Sequence, residues 1–91
     1  TTAPSRIQGD IDCDGEVTAY DSLLVFLDAA GLPLLPRETG CPGIASGDPP
    51  FGDVNCDGVV DEIDALAILA WLAGVEYEVF DDPCTPIDEE L

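Results

Sequence analysis

The chain has 91 residues, and its 20 acidic residues against two arginines give a net charge of −18. Two arginines cannot form the basic surface that phosphate recognition needs, so nucleic acid is excluded as a partner, and the same charge repels an anionic membrane. The longest apolar run, residues 65–75, is far shorter than the roughly 20 residues that span a bilayer, so we expect no membrane insertion.

A chain of this length forms one small domain, whose hydrophobic core gives only marginal stability unless metals, disulfides or partners add to it. The hydrophobic share of 46% is nevertheless too high for an acidic disordered chain. We therefore expect a folded domain that obtains stability from sources besides its core.

A tandem repeat organises the sequence. A shift of 43 residues aligns residues 9–15 with 52–58 and also places Cys41 on Cys84. Because the matches fall on structurally demanding residue types, they indicate a duplication. The predicted organisation of the single domain 1–91 is a leader at 1–8, a first repeat at 9–44, a linker at 45–51, a second repeat at 52–87 and an acidic tail at 88–91.

Each repeat begins with an acidic loop of 12 residues, 10–21 in the first and 53–64 in the second. Calcium takes six to eight oxygen ligands, and such a loop supplies them from positions 1, 3, 5, 7, 9 and 12, with glycine at position 6. A single match of this kind is usually an ordinary turn, but two matches in one repeat register favour two Ca²⁺ sites. The predicted ligands are Asp10, Asp12, Asp14, Glu16 (backbone carbonyl), Thr18 and Asp21 in the first loop, and Asp53, Asn55, Asp57, Val59 (backbone carbonyl), Asp61 and Asp64 in the second.

An apolar segment follows each loop and ends at a glycine. This pattern predicts helices over residues 19–30 and 62–73, with Gly31 and Gly74 as left-handed C-caps. The predicted fold class is therefore small and all-α, a pair of loop–helix calcium-binding motifs.

The segments that return from the helices to the later cysteines are predicted to be irregular and closed by disulfides. Pro33 and Pro36 exclude a regular strand from the first return. Residues 75–80 of the second return alternate between apolar and polar types, which permits one short β-strand.

The four cysteines favour a disulfide framework over a zinc site, because they form an even set without a C-x-x-C pair. Their equal spacing of 28 residues favours Cys13 with Cys41 and Cys56 with Cys84, and a helix followed by an extended return has the reach to close each pair. Pairing of Cys13 with Cys56 or with Cys84 remains open. Disulfides in a short chain predict a secreted protein, extracellular or on the cell surface.

The run G-D-V-N-C-D-G-V-V-D-E-I-D at residues 52–64, followed by one apolar helix and present in two copies, resembles the type I dockerin repeat. The resemblance covers residues 9–31 and 52–74, and it includes aspartate at loop position 12. Repeats of that family are half EF-hands, with a loop and an exit helix but no entering helix. The resemblance implies a dockerin-like fold, structural calcium, a cohesin-like protein as partner and a prokaryotic source.

The second predicted helix is apolar on every face, whereas a surface helix in a small domain should have one apolar stripe. Either the helix is covered within its own chain or it packs against another chain, and the unpaired strand candidate at 75–80 favours an exposed interface. The residues predicted to form that interface are Leu66, Leu69, Trp71, Leu72, Tyr77 and Phe80.

The sequence does not predict an enzyme. It contains no histidine, no nucleophile arrangement and no Gly-rich phosphate loop, and its paired carboxylates are assigned to metal. Two functions remain open: a dockerin-like module that binds a cohesin-like protein, or a self-assembling subunit of an extracellular filament or surface layer that binds copies of itself.

Overall fold

The computed structural model describes residues 7–47, 50–77, 79 and 84–90. Its two helices, α1 (Ala19–Ala29) and α2 (Glu62–Leu72), lie within one residue of the predicted bounds. The only other regular pairing in the described ranges is an isolated antiparallel bridge between Ile7 and Glu90. The prediction of a small all-α fold is confirmed, and no helix in the described part of the chain has the length and apolar character needed to cross a membrane.

Both helices end in the same way. The N–H of Leu32 donates to the Leu27 carbonyl at 2.9 Å, and the N–H of Val75 donates to the Ala70 carbonyl at 2.8 Å. The glycines that precede these donors have positive φ, 72° for Gly31 and 76° for Gly74. This is the Schellman ending, which satisfies carbonyls of the last turn and confirms the predicted left-handed glycine caps.

The helices pack against each other at positions that the repeat makes equivalent. Ser22 Oγ donates to the carbonyl oxygen of Ala65 at 2.8 Å in a buried contact, and these two residues are 43 positions apart. Val25 and Ile68, another equivalent pair, are fully buried. The core formed around this contact consists of Ile11, Cys13, Val17, Leu24, Val25, Ile44, Phe51, Val54, Ala65, Ala67, Ile68 and Ile87.

The two ends of the described chain meet. The N–H of Gln8 donates to the Glu89 carbonyl, and the N–H of Asp88 donates to the Gln8 carbonyl, both at 2.8 Å. An equivalent bond lies within the linker between the repeats, where the N–H of Phe51 donates to the Ser46 carbonyl at 2.9 Å. Gln8 of the predicted leader therefore pairs with Asp88 and Glu89 of the predicted tail. The bond from Gln8 to Glu89 repeats the bond that lies within the linker.

The strand predicted over residues 75–80 is wrong for the residues that the structure describes. Residues 75–77 and 79 are irregular, and residues 78 and 80 lie outside the described residues. A strand needs a neighbouring backbone to pair with. Here the nearby segment makes a side-chain contact instead, because the N–H of Ile87 donates to the hydroxyl oxygen of Tyr77 at 3.1 Å.

Candidate metal sites

The first carboxylate of each acidic loop is enclosed by backbone. Asp10 and Asp53 are almost fully buried, and each accepts a hydrogen bond at 2.9 Å from the N–H of the glycine five residues later. Those glycines, Gly15 and Gly58, have φ values of +96° and +95°, which L side chains rarely adopt. Glycine at loop position 6 therefore lets the chain turn sharply around the carboxylate.

The last carboxylate of each loop closes the loop and also begins the helix. Asp21 Oδ1 accepts the N–H of Asp12 at 3.0 Å, while its Oδ2 accepts the N–H of Thr18 at 2.7 Å. Asp64 Oδ2 accepts the N–H of Asp61 at 2.9 Å in the second loop. Because Asp21 and Asp64 occupy the third helical position, each forms part of a capping box. One side chain thus fixes both the loop and the direction of the helix.

These bonds bring three carboxylates together in each loop. One oxygen from each of Asp10, Asp12 and Asp21 lies within 4.8 Å of the others, and the same holds for Asp53, Asp57 and Asp64. Two such clusters of acidic side chains, mostly buried, can each hold a metal ion.

The other predicted ligands lie around these clusters. Asn55 is 1% exposed, and its Oδ1 accepts the N–H of Asp57 at 3.3 Å. Asp14 is exposed and accepts the N–H of Glu16 at 2.9 Å. The residues at loop positions 7 and 9 are placed by the turn and the helix cap: Glu16 and Val59 are exposed, and Thr18 and Asp61 are the N-cap residues of α1 and α2.

Both disulfides close within a repeat, Cys13 with Cys41 and Cys56 with Cys84, as the equal spacing favoured. Each joins position 4 of a loop to the end of the return that follows its helix. Each disulfide therefore holds the end of its return against its loop.

Burial shifts the titration of the enclosed carboxyl groups. It raises the pKa of Asp10 to about 6, with further contributions from Asp12 and Asp14. It raises the pKa of Asp21 and of Asp64 to about 7, and neighbouring carboxylates add to the shift. Desolvation and like-charge repulsion both disfavour the ionised form, so each cluster has unfavourable electrostatics when no cation is bound.

A divalent cation fits these donors. Asp10 Oδ1 is buried and has no hydrogen-bond partner among the residues that the structure describes. A buried carboxylate oxygen without a partner costs free energy that a metal–oxygen bond would offset. The side chains in each cluster offer oxygen, the donor that hard cations prefer.

Sequence reasoning missed the part played by the first return. The Nε–H of Arg37 donates to the Ile11 carbonyl at 2.9 Å, and the N–H of Glu38 donates to the Asp12 carbonyl at 3.0 Å. The only sequence signal was that Arg37 is one of two cations in a strongly acidic chain. Nothing in the sequence related it to a loop 26 positions away.

The predicted interface residues fall into three groups. Leu66, Leu69 and Leu72 are exposed on α2, whereas Trp71 and Tyr77 are half-buried against the core. Phe80 lies outside the described residues. The sequence did not single out the exposed residues of α1, Leu23 and Phe26, which line one apolar groove together with Ala19, Ser22, Glu62, Ala65, Leu66 and Leu69.

Comparisons of the chain with protein-family models, curated proteins and solved structures found no match. In the part of the chain that the structure describes, the fold and the sites define a small all-α protein with two disulfides and two acidic clusters able to hold metal ions.

The raised pKa values predict opposite effects of acid on the metal-free and metal-bound protein. Because the pKa values of Asp10, Asp21 and Asp64 lie above the ordinary 3.8, the metal-free folded state binds protons that the unfolded state releases. Stability therefore falls as the pH rises from 3.8 to about 7, and it levels off above that pH. We expect metal-stripped protein to gain far-UV helical signal when the pH is lowered from 8 to 5.5. Affinity for a divalent cation should fall over the same range, because the ligands must be deprotonated. A metal-stripped protein that loses helix between pH 8 and 5.5 would contradict this assignment.

Proposed function

We propose that the chain is a non-catalytic extracellular module that binds one calcium ion in each acidic loop and presents its two helices to another protein. The observation on which the proposal depends is the pair of mostly buried carboxylate clusters. In the first of them, Asp10 Oδ1 has no hydrogen-bond partner within the described ranges of the chain. Calcium has a structural role in this proposal, since the same aspartates that would bind it begin the helices.

Calcium suits these loops better than the other common divalent cations. The spacing of oxygen donors and the glycine at position 6 follow the 12-residue calcium loop, and magnesium demands a smaller octahedral site that keeps several waters. Zinc and copper favour nitrogen or sulfur ligands, but the chain has no histidine and all four cysteines are in disulfides. The disulfides are compatible with an extracellular location, where calcium is abundant.

Isothermal titration of metal-stripped protein tests the metal assignment. We expect two calcium ions to bind per chain, with release of protons at pH 6.5 because Asp21 and Asp64 have pKa values of about 7. Magnesium at the same concentration should compete weakly. Absence of saturable calcium binding would refute the proposed function.

The groove between α1 and α2 is the proposed contact surface. Leu23 and Phe26 of α1 are 42% and 50% exposed, and Leu66 and Leu69 of α2 are 57% and 45% exposed. These form two pairs 43 positions apart, so both repeats contribute equally. Adjacent exposed apolar side chains of this size mark association surfaces in soluble proteins. The resemblance to dockerin repeats favours a cohesin-like partner for this surface.

A second candidate is self-assembly into an extracellular filament or surface layer. It is favoured by another exposed apolar segment, in which Leu32, Leu34 and Leu35 are 51%, 41% and 40% exposed. Two different apolar surfaces on one small chain would allow head-to-tail contacts, which generate rings or filaments. Light scattering on the calcium-loaded chain separates the candidates, because a monomer at all concentrations excludes self-assembly.

Substitution of Leu66 by glutamine should weaken association through the groove. Loss of one half-exposed leucine from the centre of an interface typically costs about 1–2 kcal/mol, or about 10-fold in affinity. The measurement is titration against a type I cohesin domain, or light scattering if the chain self-associates. If the chain binds a different protein through the groove, Leu34→Gln is the matched control, because Leu34 is similarly exposed but does not line the groove. Equal effects of the two substitutions would argue against the groove as the contact surface.

A further inference from the structure

Each disulfide has one of its two cysteines at position 4 of a proposed metal loop. Cys13 stands between the cluster residue Asp12 and the predicted ligand Asp14, and Cys56 stands between Asn55 and Asp57. Both cysteines have positive φ, 61° and 62°, in the left-handed region that residues with a side chain rarely adopt. The backbone at loop position 4 therefore needs something to hold it, and its conformation sets the directions of the side chains on either side.

The cysteine at the other end brings the return onto the same part of the loop. Cys41 Sγ lies 3.1 Å from the carbonyl oxygen of Ile11, and Cys84 Sγ lies 3.6 Å from that of Val54. Ile11 and Val54 both occupy loop position 2 and are fully buried. The disulfide thus fixes positions 2 to 4, the stretch that sets the direction of the position 3 side chain.

We propose that each disulfide switches on calcium binding by its own loop. This inference rests on the proposed calcium binding and adds its regulation. In the dithiol form, position 4 is free to leave the left-handed conformation, and the ligands at positions 3 and 5 lose their common orientation. A site whose ligands must be ordered at the moment of binding has a lower affinity than one that is already arranged.

The switch is a two-electron oxidation. Two thiols of one repeat form the disulfide and lose two electrons and two protons, which reduce a disulfide-bearing oxidant to its dithiol. A chain in a reducing compartment would therefore bind calcium weakly, and it would load calcium after transfer to an oxidising one. Coupling between two equilibria is reciprocal. If a disulfide raises the calcium affinity of its loop by some factor, bound calcium must make that disulfide harder to reduce by the same factor.

Paired substitutions test the proposal loop by loop. The double variants are Cys13→Ala with Cys41→Ala, and Cys56→Ala with Cys84→Ala. The amide signals of Gly15 and Gly58, each bonded to the first aspartate of its loop, report the occupancy of the two loops separately in a calcium titration followed by NMR. We expect each variant to lower the affinity of its own loop by about 10- to 100-fold, the usual effect of losing a group that orients metal ligands, and to change the other loop far less.

A substitution in the core provides the control for loss of stability alone. Val25 is fully buried in the same repeat as Cys13 but is not part of the loop, so Val25→Ala should shift Gly15 and Gly58 titrations alike. Equal losses at both loops in a cysteine variant would overturn the proposal, and so would unchanged affinities. Absence of calcium binding by the oxidised wild-type chain would instead refute the proposed function.

A measurement on the wild-type chain covers the case in which a variant does not fold. Reduction by dithiothreitol, followed by alkylation and mass spectrometry, gives the extent of reduction of each disulfide with and without calcium. We expect calcium to shift the reduction equilibrium of both disulfides by about 10- to 100-fold, the factor expected for affinity. Equal reduction with and without calcium would overturn the proposal.

Discussion

Removal of calcium at pH 8, with both disulfides intact, should abolish most of the helical far-UV circular dichroism of this chain. Sites with a Kd of about 1 µM would each contribute about 4.1 kcal/mol in 1 mM calcium, or about 8 kcal/mol together. That sum is as large as the whole stability of an ordinary small domain, about 5–15 kcal/mol. The metal-free state also retains the repulsion among buried carboxylates that raises the pKa values of Asp10, Asp21 and Asp64.

The control for this experiment is salt. The net charge of −18 opposes compaction in any metal-free buffer, and sodium chloride screens that repulsion without occupying the loops. The Debye length in 0.3 M sodium chloride is about sixfold shorter than at 0.01 M. We nevertheless expect this salt to restore little helix, whereas calcium at 1 mM should restore all of it. Full recovery in salt alone would show that calcium acts as a general counter-ion and would contradict two specific sites.

Local features are what the sequence allowed us to predict. The helices begin and end within one residue of their predicted bounds because their signals are short-range. The aspartates at loop position 12 complete the capping boxes at the N-termini, and Gly31 and Gly74 adopt positive φ after the last turn. The disulfide pairing followed from equal spacing and chain reach. Each of these features is formed by residues of one repeat.

Contacts between distant residues were beyond sequence reasoning. The pairing of Gln8 with Asp88 and Glu89, and the bond from Arg37 to the Ile11 carbonyl, depend on how the returns fold back. The strand prediction at residues 75–80 used alternation alone, and the described residues there form no strand pairing. The apolar composition of α2 also did not predict which face of the helix is exposed, because large apolar residues lie on both its exposed and its buried faces.

The two helices differ in composition but are buried at equivalent positions. In α1, Leu24 and Val25 are buried while Leu23 and Phe26 are exposed. The equivalent residues of α2 follow the same pattern, with Ala67 and Ile68 buried and Leu66 and Leu69 exposed. The duplicated backbone therefore sets which face is exposed. The large residues on that face in both repeats are the strongest support for a shared contact surface.

The substitution with the largest expected local effect is Asp64→Asn. Asp64 is fully buried, and its two oxygens accept hydrogen bonds from the backbone N–H groups of Val54, Asn55 and Asp61. Asparagine would remove the ligand charge and place an amide donor against these backbone donors. Changing a group that only orients metal ligands usually lowers metal affinity by about 10- to 100-fold. Asp64 is itself a proposed ligand, so we expect the calcium affinity of loop 2 to fall by more than about 100-fold. The amide signal of Gly58 should then not shift at calcium concentrations that saturate the shift of the Gly15 signal.

Glu62→Gln is the matched control, because it removes one negative charge from the same helical turn at an exposed position. Loss of its favourable interaction with the helix N-terminus should cost less than about 1 kcal/mol and leave the Gly58 titration in place. Asp21→Asn should produce the converse result, with loss at Gly15 and retention at Gly58, since Asp21 closes loop 1 through the same bonds. If Asp64→Asn retained calcium at loop 2, the buried carboxylate would be a helix cap alone. The metal assignment for that loop would then be wrong even though its sequence fits.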